Sequence, residues 1–306
     1  MPASDPTLMS GMSNVLDPAS SALLYDGFVS ADVEYPALFM VGTGATRTIE
    51  KKSILPPGQM QTRVDAADIP TSPLEEGNNV TYTMGEEVIG YEVGAGTWDF
   101  LQDTPEIGDF YRQIGLVPQR AINRACMLVI AGGYTTNGPD GQPLYSNSHP
   151  RGDGSGNLVD NLGTTGFDID ALETTYTAGL QMVSPDGMPA PVRWNCLVVP
   201  VELHIAALQA IEAIGRHDAA DTFAGHTPNV VGRWYTTLVT TAEYTDANDW
   251  QVFDLAGWRG NVLFKVPPYF WSFVDNRSGN YVVNGRQHYA VGHDNTWRHT
   301  FGHRVT

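Results

Sequence analysis

The sequence predicts an α+β protein in which helices and strands occupy largely separate stretches of the chain. Apolar residues recur at three- and four-residue steps in three segments between residues 104 and 215, which indicates helices, and they alternate within 46–95 and 230–306, which indicates strands. Hydrophobic residues make up 42% of the 306 positions and charged residues only 17%, so the chain is too apolar to be disordered. A sparsely charged surface is common on proteins that bury much of their exterior against partners.

The net charge of −17 argues against several functions. Nucleic-acid binding through phosphate neutralisation requires clustered basic residues, whereas this chain has three lysines, Lys51, Lys52 and Lys265. Attraction to an anionic membrane is disfavoured for the same reason, and no apolar run approaches the ~18 residues of a membrane span. The two cysteines, Cys126 and Cys196, fall in predicted core segments, so a reduced cytosolic origin is expected.

The N-terminal part predicts two segments without a core of their own. Residues 1–45 lack strong periodicity and contain four prolines, which predicts an extended arm. Residues 46–95 predict a long two-stranded excursion. Its β-like stretches are 46–52, 80–84 and 88–93. An isolated hairpin is marginally stable in water, so we expect both segments to rest on another surface.

A long helix is predicted over residues 104–131. Asp103 is suited to cap it, Pro105 suits the first turn, and Gly132 with Gly133 ends it. Pro118 lies inside the helix and is expected to kink or divide it.

Smaller elements complete the predicted order. Asp168 is expected to cap a helix that extends to Val183, and Pro200 to open a third helix that closes at Gly215. The other predictions are a short strand at 143–145, a polar loop at 146–163, a buried strand at 192–199, and strands at 234–239, 250–255, 261–266 and 281–290.

Sequence motifs for catalysis are absent. The chain has no phosphate-binding loop, no Gly-x-Ser-x-Gly elbow, no Cys-x-x-Cys pair and no His-Glu-x-x-His motif. The sequence therefore predicts no catalytic residues, no cofactor and no metal ligands. Arg151–Gly152–Asp153 matches an adhesion tripeptide, but we interpret it as part of a surface loop.

Histidines and tryptophans are the remaining candidates for a site. His288, His293, His299 and His303 lie in the last nineteen residues. On a strand, His299 and His303 would stand ~13 Å apart, too far for one metal ion, whereas a helix would let them meet. We interpret the four as polar residues at a subunit contact. Of the tryptophans that could form a sugar-binding platform, Trp194 lies in an apolar alternation that favours the core.

Three motifs, in order, resemble the Mu-like major head subunits of tailed bacteriophages. The first is residues 140–150 (DGQPLYSNSHP), after the long helix. The second joins residues 185–189 (PDGMP) to residues 197–200 (LVVP) and Glu202–Leu203. The third is the closing strand. Its matching residues are Arg286, Tyr289, Gly292 and Trp297. The resemblance covers roughly residues 40–306 and departs from the family at Pro118 and in the absence of an obvious long N-terminal scaffolding segment.

The resemblance implies the Hong-Kong-97-type capsid fold. Its parts would be an N-terminal arm, an extended loop called the E-loop, a peripheral domain containing the long spine helix, and an axial domain. They map onto 1–45 for the arm, 46–95 for the E-loop, 96–187 with 268–306 for the peripheral domain (spine helix 104–131), and 188–267 for the axial domain.

The function implied is self-assembly into hexamers and pentamers of an icosahedral shell around double-stranded DNA. Implied partners are other copies of the chain, a separate scaffolding protein, a portal and decoration proteins. The packaged DNA would be held without sequence-specific binding, and no membrane is involved. Such a protein is assembled in the host bacterial cytoplasm and ends in the virion capsid. The alternatives are an encapsulin-like nanocompartment shell and, from another class, a β-rich hydrolase or carbohydrate-binding protein.

Some capsids of this fold join an E-loop lysine to an asparagine of a neighbouring subunit. Lys51 and Lys52 are the only lysines near the excursion, and they lie at its base. Such a reaction also needs a carboxylate in apolar surroundings to remove the lysine's proton. We therefore expect no isopeptide bonds.

Overall fold

A computed structural model describes residues 18–54, 76–102, 104–151, 155–212, 215–216, 227–244 and 246–305. The helices are α1 Pro18–Ser30, α2 Ala95–Leu101, α3 Glu106–Ala131, α4 Ile169–Leu180, α5 His204–Glu212 and α6 Val231–Trp234. The strands are β1 Phe39–Thr43, β2 Thr48–Ile54, β3 Glu76–Thr83, β4 Gly85–Val93, β5 His149–Pro150, β6 Leu158–Val159, β7 Leu162–Gly163, β8 Cys196–Pro200, β9 Gly215–Arg216, β10 Thr227–Pro228, β11 Thr237–Thr241, β12 Trp250–Phe253, β13 Gly260–Val274, β14 Tyr281–His293 and β15 Thr300–His303.

The chain divides into two compact units. The first unit is Met1–Ile49, Thr81–Cys126 and Gly260–Gly292, and the second is Glu50–Val80, Met127–Arg259 and His293–Thr306.

The first unit is built on a four-stranded sheet in the order β1-β13-β14-β4. Strand β1 runs parallel to β13, and β4 runs antiparallel to β14. Alternate residues of β14 are buried, as a sheet with one covered face requires. The covering helix is α3, because its Tyr111 hydroxyl lies 2.9 Å from that of Tyr281 on β14 and its Phe110 ring packs edge-on against Tyr91 of β4.

The second unit is built on a five-stranded sheet in the order β11-β8-β12-β15-β7. Every residue of β8 is buried, so the prediction of a buried strand is confirmed for 196–199, although 192–195 precede the strand. Helix α4 begins at the predicted cap, because the Asp168 carboxylate accepts a 2.6 Å hydrogen bond from the backbone N–H of Ala171. Trp194 is fully buried and donates to the Thr175 carbonyl on α4 at 2.9 Å, which confirms its prediction as a core residue.

The excursion contains the predicted strands. Strands β2 and β3 form a two-stranded sheet of their own, and β4 continues from β3 into the sheet of the first unit. Residues 55–75, between β2 and β3, lie outside the described residues.

The extended arm predicted for residues 1–45 is wrong for residues 18–43. They form α1, a short 3₁₀ helix at Tyr35–Ala37, and β1. Leu24 and Phe28 are buried, and Asn123 of α3 accepts hydrogen bonds from the backbone N–H groups of Glu34 and Tyr35, both at 3.0 Å. This segment therefore packs on its own chain through Leu24 and Phe28, although the helix as a whole has only a weak amphipathic pattern.

Other local predictions also differ. Helix α3 runs through Pro118 as one element, with buried Ile114 and Ile122 on either side, so the predicted division of the helix is wrong while the kink stays a prediction. Residues 143–145 are not a strand, and Pro143 makes only an isolated bridge to Asn137. Within the described residues, the third helix consists of a 3₁₀ turn over Val201–Leu203 followed by α5.

Candidate functional site

The base of the excursion is fastened by ion pairs in the second unit. The Lys51 Nζ lies 2.9 Å from Asp294 Oδ2, and both side chains are about two-thirds or more buried. The Lys52 Nζ lies 3.6 Å from Glu76 Oε1, and both side chains are largely exposed. The first pair is therefore the stronger attachment, since exposed pairs contribute little. The sequence placed both lysines at this base but gave no signal for their partners, which lie far away along the chain.

The first family-like motif, residues 140–150, forms a buried clamp. His149 Nδ1 lies 2.7 Å from Asp140 Oδ2, and both side chains are almost completely buried. The imidazole ring stacks on the indole of Trp297, with centroids 4.2 Å apart and planes within 3°. Gly141 has φ +79°, a conformation that favours glycine, which explains the Asp-Gly pair at the turn.

Asn161 joins this clamp to the closing segment of the chain. Its side-chain amide donates to the carbonyls of Leu144 (2.8 Å), Trp297 (3.0 Å) and Thr300 (3.2 Å). Its Oδ1 accepts from the backbone N–H of Ser146 at 2.8 Å. Asn161 is fully buried and was not identified from the sequence, because it lies in a stretch that is otherwise rich in glycine and polar residues.

The second family-like motif forms a tight turn and the central strand β8. The Ser184 N–H donates to the Met188 carbonyl at 2.8 Å across the turn, and Gly187 has φ +81°. The first two motifs therefore occupy two turns and the strand β8, and three of the four residues of the third motif lie on β14.

Three of the C-terminal histidines pack against other residues of the second unit, and their interpretation as polar residues at a subunit contact stays a prediction. His293 stacks on Trp258, His299 bonds Asp254 at 2.8 Å, and His303 is buried between strands. His288 differs: it lies on β14, partly exposed, 3.2 Å from Glu86 of β4. Among the described residues, no three His, Cys, Asp or Glu side chains converge where a metal ion could bind.

An exposed sheet face in the first unit was not predicted. On β4, Val88 is 73% exposed beside its ladder partner Arg286 on β14. The Arg286 guanidinium lies 6.0 Å from the centre of the Trp271 ring, which stacks with Tyr269 on β13. This mixture of aromatic, aliphatic and charged groups resembles the composition of protein interfaces. The alternation along 281–290 could have indicated the face, but not which neighbouring strands complete it.

The adhesion-like tripeptide and the two cysteines were the other residues singled out in the sequence. Arg151 follows β5, whereas Gly152 and Asp153 lie outside the described residues. Both cysteines are buried and free. Burial raises the pKa of the Cys126 thiol well above its usual range and raises the pKa of the Cys196 thiol to about 12. In the part of the chain that the structure describes, no helix has the length and apolarity needed to cross a bilayer.

Comparisons by sequence find no matching family model and no matching curated protein. Comparison of structures finds capsid chains. The capsid of the cyanophage P-SCSP1u matches with a TM-score of 0.58 at 11% identity, over 90% of this chain and 89% of that one. The capsid of a native GTA particle matches with a TM-score of 0.57 at 12% identity, over 97% and 93%. The chain has the Hong-Kong-97-type capsid fold.

This capsid fold also occurs in a virus-like particle from Pyrococcus furiosus, which matches with a TM-score of 0.54 at 10% identity, over 92% of this chain and 96% of that one. The α+β capsid fold predicted from the three motifs is thus confirmed.

Proposed function

We propose that the protein is the major capsid protein of a tailed bacteriophage, which forms the hexamers and pentamers of an icosahedral shell around double-stranded DNA. The observation that carries the proposal is that the capsid chains of a cyanophage and of a GTA particle match this chain over about nine-tenths of both lengths. The proposed role is structural and not enzymatic.

The proposed parts follow the sequence boundaries: an N-terminal segment 1–45, whose residues 18–43 pack on their own chain, the E-loop 46–95, a peripheral domain 96–187 with 268–306, and an axial domain 188–267. The excursion supports an intersubunit role because its own two-stranded sheet has little core to stabilise it. The acidic balance supports a container for DNA, since the inner wall must not retain the packaged genome. Scaffolding, portal and decoration proteins are the further partners of this proposal, with assembly in the host bacterial cytoplasm.

A compartment shell that encloses proteins is the second candidate. The specific observation in its favour is the match to the virus-like particle from Pyrococcus furiosus, which covers 96% of that chain. The hydrolase or carbohydrate-binding alternative has less support, because the Trp194, Trp250 and Trp297 rings are buried in the second unit.

Native particles would test the proposal. Negative-stain microscopy should reveal closed shells whose main protein is this chain, and nuclease treatment before extraction should leave protected double-stranded DNA. Shells that contain protein cargo and no DNA would favour the compartment, and a chain that stays monomeric in the native lysate would contradict both.

A further inference from the structure

Three histidines help to hold the C-terminal segment, residues 293–303, in the second unit, together with its backbone hydrogen bonds. Its strand β15 pairs antiparallel with β12 over four residues but meets β7 over only two. Three of the eight histidines of the chain lie in this segment. Each of these histidines contacts groups of other elements, so the attachment of the segment depends on the protonation state of the three imidazole rings.

His303 is held in its neutral form. The Thr175 hydroxyl of α4 donates to the Ala171 carbonyl at 2.7 Å, so it accepts at 2.8 Å from His303 Nε2, which carries the proton. The ring stacks on Trp250, its ladder partner on β12, with centroids 3.9 Å apart. The other nitrogen, Nδ1, is buried against Gly163 of β7 without a hydrogen bond. A second proton there would have no acceptor, and burial alone lowers the pKa of His303 to about 4.

His293 is held in the same way at the other end of the segment. Its Nδ1 is buried without a hydrogen-bond partner, and the ring stacks on Trp258. The charged and titratable groups that face it are Asp294, Asp140 and His149. Burial outweighs the two carboxylates and lowers the pKa of His293 to about 4.

His299 lies between these two and has mixed surroundings. Its Nδ1 contacts the Asp254 carboxylate at 2.8 Å, and the positive charges of Arg298 and Arg259 oppose protonation of the ring. Burial lowers the pKa of His299 despite Asp254. The ring packs closely on Gly257, because a β-carbon at that position would overlap the imidazole.

We propose that residues 293–303 form an acid-sensitive latch, which detaches from the second unit as a block when its histidines take up protons. In the detached segment each imidazole has an ordinary pKa near ~6.5. Detachment is therefore coupled to proton uptake. A fall in pH favours the open form, in which the segment is detached. For a histidine whose pKa falls from about 6.5 to about 4 on closing, the opening constant rises about twentyfold between pH 7 and pH 5. The combined titration of His293 and His303 would raise the opening constant a few hundredfold over the same pH range.

Hydrogen exchange on the purified full-length chain tests the latch at pH 7 and pH 5, after correction for intrinsic rates. The opening constant for the amides of residues 300–303 should rise at least twentyfold at pH 5, while that of β8, the central strand of the same sheet, should change far less. An equal rise in both strands would mean global destabilisation and would overturn the proposal. An unchanged opening constant, as expected if the Trp250 face retains the imidazolium ion, would also overturn it.

Variants assign the effect to particular rings. His303→Gln keeps a donor toward Thr175 but cannot titrate, so the pH dependence at residues 300–303 should fall about twentyfold. His288→Gln, in the first unit, is the matched control and should leave the pH dependence at residues 300–303 unchanged. If His303→Gln fails to fold, His293→Gln and an NMR titration of the histidines in the unmodified chain test the latch instead. A His303 that titrates near 6.5 while its strand stays protected would refute the latch.

Discussion

Gly27 of α1 and Gly115 of α3 mark the places where the backbones of these two helices touch. A β-carbon on Gly115 would overlap the carbonyl oxygen of Leu24, and one on Gly27 would overlap that of Arg112. The contact is therefore reciprocal, with each glycine admitting one turn of the other helix. It fixes α1 on α3 together with an Arg112–Asp26 ion pair at 2.8 Å.

Gly115→Ala should destabilise the protein by about 1–3 kcal/mol, because the added methyl group forces apart two packed backbones. Gly108→Ala on the same helix is the matched control. Its β-carbon would meet nothing closer than 3.6 Å, and alanine favours the helix, so its stability should be unchanged or slightly higher. Urea denaturation of both variants measures the difference. Equal stability of the two would mean that the helices are not in contact here.

A buried hydroxyl chain in the second unit carries the next prediction. The Tyr134 hydroxyl donates to the His303 carbonyl at 2.9 Å and accepts from Gln251 Nε2 at 2.8 Å. Tyr134→Phe should cost about 1–2 kcal/mol, because it leaves a buried amide without its acceptor. Tyr269→Phe, at a partly exposed tyrosine of β13, should cost less than half as much. Thermal unfolding at pH 7 compares them, and similar losses would contradict the importance of this network.

Deleting residues 56–78 should leave a folded subunit that assembles poorly. The Lys51–Asp294 pair remains, and so does the 2.9 Å hydrogen bond from the Met84 N–H to the Arg47 carbonyl, which ties the ends of β2 and β3. Circular dichroism tests folding, and sedimentation tests assembly. A deletion that unfolds the isolated subunit would place the excursion in the core instead.

Particles should lack isopeptide bonds. Lys51 is engaged with Asp294 and Lys52 with Glu76, and an ammonium group in an ion pair is not a nucleophile. Denaturing electrophoresis of mature particles should give one band near the 33.3 kDa subunit mass. A ladder of multimers that survives boiling would contradict this, and Lys51→Arg and Lys52→Arg would then identify the reacting residue.

The sequence predicted the elements whose periodicity is set by burial of one face or of both, such as α3, β8 and β14. The helix cap at Asp168 was also predictable, because capping depends on neighbouring residues. The arm was misjudged, since α1 is stabilised by backbone contact at Gly27 and by two buried apolar side chains, Leu24 and Phe28, in a helix whose overall pattern is only weakly amphipathic. The pairings of Lys51 with Asp294 and of His303 with Thr175 join residues more than a hundred positions apart, and local spacing contains no information about them.

The burial of Cys126 and Cys196 has a practical consequence for chemical labelling. These are the only two cysteines of the chain, and burial keeps both in the unreactive thiol form. Maleimide or dye reagents should therefore leave the folded protein unmodified. A cysteine introduced at Val88 or at Phe100, which is 80% exposed, would be the single fast-reacting thiol on each subunit. Every copy in an assembly could then carry one probe or cargo molecule at a defined position.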